Sequence, residues 1–104
     1  METPVKTIAQ NTLHICSAAE ALALLRKHGG HGNAAFMRSL ADAVSDENNH
    51  ITGTVGDFNN LIDRFEALGD YFDALRVCDF ALKIYPRSAT LLAITLNTCA
   101  RSGA

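Results

Sequence analysis

The sequence predicts an all-α fold, and three observations predict it. From Ala18 to Cys99 the apolar residues recur mostly at three- and four-residue steps, the period of a helix with one buried face. Glycine, proline and short polar runs interrupt that pattern at intervals that suit helices of a few turns. Stretches with strand character are short: Leu13 and Ile15 alternate with His14 and Cys16, and the β-branched stretch 50–56 is broken by glycines. Five helices are expected, and residues 50–56 are expected to be a connector. No partner strand is evident for residues 13–16.

The first helix opens at Ser17-Ala18-Ala19-Glu20, which has the spacing of a capping box. Ala18, Ala21, Leu22 and Leu25 form its buried stripe, and Arg26, Lys27 and His28 suit the negative end of the helix dipole. Gly29-Gly30 stops it. Asn33 is placed to cap a second helix, whose apolar positions are Phe36, Met37, Leu40, Ala41 and Val44. The polar run Ser45-Asp46-Glu47-Asn48-Asn49 ends that helix.

A third helix is expected over 57–68, with Asp57 as N-cap and Phe58, Leu61, Ile62, Phe65 and Leu68 on one stripe. Gly69-Asp70 breaks it, as a glycine just past the last periodic residue does. Ala74, Leu75, Cys78, Ala81, Leu82 and Tyr85 make the stripe of a fourth helix. Pro86 closes it by disfavouring the α conformation at the residue before it. Ala74 and Ala81 lie a heptad apart, where two helices can cross closely, and Phe58 and Phe65 supply the bulk that fills the rest.

Phe58, Leu61, Phe65, Ala74, Cys78 and Pro86 stand at the offsets of the tetratricopeptide signature, a helix–turn–helix repeat of about 34 residues. From Gly69 the run Gly-Asp-Tyr-Phe-Asp-Ala-Leu, followed by Ala81-Leu82 and Pro86, resembles the second half of that signature nearly residue for residue. In the first half Phe58 stands for the usual Trp, Ile62 for a small Gly and Phe65 for Tyr. One repeat further on, Phe58, Leu61, Phe65 and Gly69 map onto Leu92, Thr95, Cys99 and Gly103. The resemblance implies one full repeat over 55–88 and the first helix of another over 89–102. The implied fold is an all-α tetratricopeptide-like array of helical hairpins, an α-α superhelix, with residues 1–54 as an irregular helical N-terminal cap on the repeat region 55–104. The whole is one domain, either complete or a piece of a longer repeat protein.

The fifth helix is unusual in composition. Between Arg87 and Arg101 no residue is charged. Leu92, Leu96 and Cys99 are expected to pack on the preceding hairpin, which leaves Leu91 and Ile94 facing away. A helix apolar nearly all round is normally covered, so Leu91 and Ile94 are expected to mediate self-association or to hold a partner helix.

Composition narrows the function class. A net charge of −2 with signs interspersed lacks the clustered basic face of a nucleic-acid binder. No apolar run approaches a membrane span of about 20 residues. Three cysteines make no disulfide framework, which points to a reducing, cytoplasmic compartment. His14, Cys16, His28 and His31 are zinc-ligating residue types but match no zinc spacing. The run from Lys27 to Asn33 follows a helix and lacks the lysine–serine ending of a phosphate loop. Cys78 and Cys99 read as small hydrophobes on apolar stripes, and Asp42, Asp46 and Glu47 as a solvated helix end. No cofactor, metal or catalytic residue is expected.

Tetratricopeptide proteins usually hold peptides against the inner face formed by the first helix of each repeat. The resemblance therefore implies Asn59, Asp63 and Glu66, with Asn97 and Arg101 one repeat later, as partner-binding residues. Asp63 would repel a C-terminal carboxylate, so a polar or basic peptide, or a helix, suits that face better. The expected function is a protein–protein interaction module, an adaptor or scaffold. Alternatives are a small dedicated chaperone masking an apolar helix, as in bacterial secretion systems, and an accessory helical domain of a larger enzyme or signalling protein.

Overall fold

Local hydrogen bonds at the helix starts set most of the architecture. The computed structural model describes residues 14–30 and 32–103. Its helices are α1 (Ala18–His28), α2 (Ala34–Ser45), α3 (Val55–Ala67), α4 (Tyr71–Ile84) and α5 (Ala89–Ser102), with one 3-10 turn at Glu47–Asn49. Among the described residues there is no strand, only a single parallel bridge between Ser17 and Thr52. The all-α expectation holds. Leu13 and His31 lie outside the described residues.

The caps refine the boundaries. Ser17 Oγ accepts from the Glu20 amide at 3.1 Å, while the Glu20 carboxylate accepts from Cys16 N–H at 2.7 Å, one residue before the expected donor. Asn33 precedes α2 but does not cap it through its side chain; its amide donates back to the His28 carbonyl and closes the end of α1. Asp57 is not the N-cap of α3. The helix begins at Val55, and Thr54 and Asp57 exchange two 3.0 Å bonds, side chain to backbone in each direction. That reciprocal pair satisfies two of the free groups of the first turn and outcompetes a later start.

Packing follows from the stripes. α1 lies on α3, α2 on α4, α3 pairs with α4 as a hairpin, and α5 packs mainly on α4 with a smaller contact to α3. Leu25, Leu40, Val44, Phe58, Leu61, Ile62, Phe65, Ala74, Val77, Cys78 and Ala81 are fully buried in one continuous core. Each of the large ones contributes roughly 1.5–3 kcal/mol relative to exposure. Phe58 meets Phe80 and Tyr85 with ring centroids 6.1 and 6.4 Å apart, and the Tyr85 hydroxyl donates to the Gly53 carbonyl. The connector 50–54 is thereby pinned to the end of α4.

The orientation of α5 corrects an expectation. Leu91 is fully buried and Ile94 packs against the core, whereas Leu92 and Leu96 are 48% and 70% exposed. The inward stripe is Leu91, Ile94 and Thr98. Two threonines make that face possible: Thr95 Oγ1 donates to the Leu91 carbonyl at 2.8 Å, and Thr98 Oγ1 lies 2.9 Å from the Ile94 carbonyl. The Thr98 hydroxyl has its acceptor in the Glu66 carboxylate, so Thr98 buries as a core residue at little cost.

Candidate functional site

Three groups of side chains on this frame are candidates for function. The first is the face shared by α3 and α5. Asp63, Asn97 and Arg101 are exposed there and Asn59 is half-buried. Glu66 is not available to a partner. It is buried, accepts from the Thr98 hydroxyl, and takes Arg101 Nη1 at 3.2 Å. The expectation that Glu66 binds a ligand is therefore corrected: a carboxylate one turn after Asp63 points at α5 and holds that helix in place. Arg101 is half committed to the same pair, with its side chain 57% exposed.

The second group is the outer side of α5, where Ala89, Leu92, Ala93, Leu96 and Ala100 are exposed and carry no charge. Leu91 and Ile94, expected on this side, face the core. The apolar surface exists, but it belongs to Leu92 and Leu96.

The third group gave no signal in the sequence. Asp73 on α4 is 1% exposed, accepts Arg38 Nε from α2 at 3.0 and 3.3 Å, and accepts Arg76 Nη1 at 3.1 Å. Arg76 also reaches Asp42. The two guanidinium groups lie 4.8 and 5.9 Å from the ring centre of Phe72, which is itself 60% exposed. Asp42 is thus part of an ion-pair network joining α2 to α4. Cation–π pairs of this kind hold an exposed ring in place.

Asp70, the N-cap of α4, stands beside this network. Burial pushes its carboxyl from 3.8 to about 6, reinforced by the side chain and charge of Asp73 and opposed by the Asp73 amide and by Arg38. A carboxyl raised in the folded state favours folding fully below its unfolded pKa and loses that contribution as pH rises through about 6. Asp70→Asn keeps the capping oxygen and removes the charge. It is expected to stabilise the fold at pH 8 by about 1 kcal/mol after solvent screening, with no gain below about pH 4. Urea unfolding of both proteins across that range checks this; a difference independent of pH would contradict it.

The residues weighed for chemistry are dispersed. His14 and Cys16 are exposed near the start of α1, and His28 packs edge-on against Phe36 with centroids 5.5 Å apart. Among the described residues no three His, Cys, Asp or Glu side chains converge as a metal site. Burial raises the Cys78 thiol above its ordinary value, so it is held as the neutral thiol. No helix among the described residues is long and apolar enough to cross a membrane. No protein-family model, curated protein or solved structure matches the chain.

Proposed function

We propose that the chain is a protein–protein interaction module of tetratricopeptide-like architecture, working in the cytoplasm as an adaptor or scaffold and carrying no catalytic role. The observation that carries this reading is a recurrence of 34 residues in the backbone. Val55 and Ala89 begin α3 and α5, and the preceding Thr54 and Ser88 each cap the third amide of their helix. Gly69 and Gly103 follow those helices at φ 81 each, in the left-handed region that glycine adopts without a Cβ penalty. The period equals that of the repeat.

The recurrence also explains the exposed leucines. Leu92 and Leu96 are the counterparts of Phe58 and Ile62, both fully buried in the α3–α4 hairpin. A helix from a second copy, or from a partner, is the occupant this reading assigns to that face. Asn59, Asp63, Asn97 and Arg101 remain the polar residues offered to a peptide on the α3–α5 side. The same apolar face would serve the chaperone reading, in which a partner's apolar helix is masked there.

Concentration-dependent light scattering tests it. The wild-type chain is expected to gain mass with concentration, and Leu92→Glu with Leu96→Lys is expected to abolish the gain while keeping the helical circular dichroism. Leu91→Glu is expected to unfold the chain instead. A wild type that stays monomeric at millimolar concentration with Leu92 and Leu96 free would rule out self-association through α5.

A further inference from the structure

We draw no further inference here: the strongest candidate, the hollow of about 640 Å³ between the end of α4 and the connector 50–53, is bordered by Lys83 already paired with Glu47 at 3.6 Å, and nothing in the structure shows what fills it.

Discussion

Phe65→Ala is expected to lower the unfolding free energy by about 3–5 kcal/mol. Phe65 is fully buried in the continuous core, on the α3 stripe with Phe58, Leu61 and Ile62. Removing the ring takes away its transfer energy and leaves a cavity, and helices held from both sides relax little into such a space. Phe72→Ala is the matched control. That ring is 60% exposed and leans on Arg38 and Arg76, so its loss is expected to cost about 1 kcal/mol or less. Urea unfolding with an unchanged m-value measures both. A Phe65→Ala loss below 1 kcal/mol would mean that α3 does not face the core as described.

The contrast between these two phenylalanines was only partly legible in the sequence. Phe65 lies on a stripe that repeats through about three turns, and a period of that length fixes a face with little ambiguity. Phe72 sits at the start of α4, off the stripe of Ala74, Cys78 and Ala81, so its exposure followed from the same pattern. Arg76, four residues on in the same helix, is a local neighbour, but the contact with Arg38 was not legible, because Arg38 is 34 positions away on another helix. The same limit hid Asp73 and Glu66. Each is a carboxylate that hydropathy assigns to solvent, and each is buried because a guanidinium group or a hydroxyl from another helix meets it there.

The face of α5 failed for a different reason. Its composition is nearly uniform in Leu, Ala and Thr, so the periodic signal is weak. The stripe carried over from α3 by the 34-residue offset, through Leu92 and Cys99, lies one residue beyond the face that Leu91 and Thr98 bury. The Thr95 hydroxyl, satisfied at the Leu91 carbonyl, and the Thr98 hydroxyl, satisfied at Glu66, decide the matter. The pairing of Thr52 with Cys16 and Ala18, which holds the connector 50–53 beside the start of α1, had no sequence signal at all, because nothing local announces a bond between residues so far apart.

Glu66→Lys is expected to be among the most damaging substitutions, at about 3–5 kcal/mol. In the native chain the carboxylate is shielded from water, faces the Thr98 hydroxyl, and is neutralised by Arg101. A lysine there places an ammonium group beside Arg101 and leaves a buried hydroxyl without its acceptor, so both terms change sign together. Asp63→Lys, one turn earlier and exposed, is expected to stay within about 0.5 kcal/mol. The two reversals thus separate the structural carboxylate from the one free to meet a ligand. Glu66→Gln refines the test: it keeps an acceptor for Thr98 and loses only the pairing with a half-exposed arginine, so about 1 kcal/mol is expected. Because Glu66 joins α3 to α5, hydrogen exchange in Glu66→Gln should rise first in α5 and last in the α3–α4 hairpin. Equal small losses at Glu66→Lys and Asp63→Lys, with α5 exchange unchanged, would remove Glu66 from the role of holding α5.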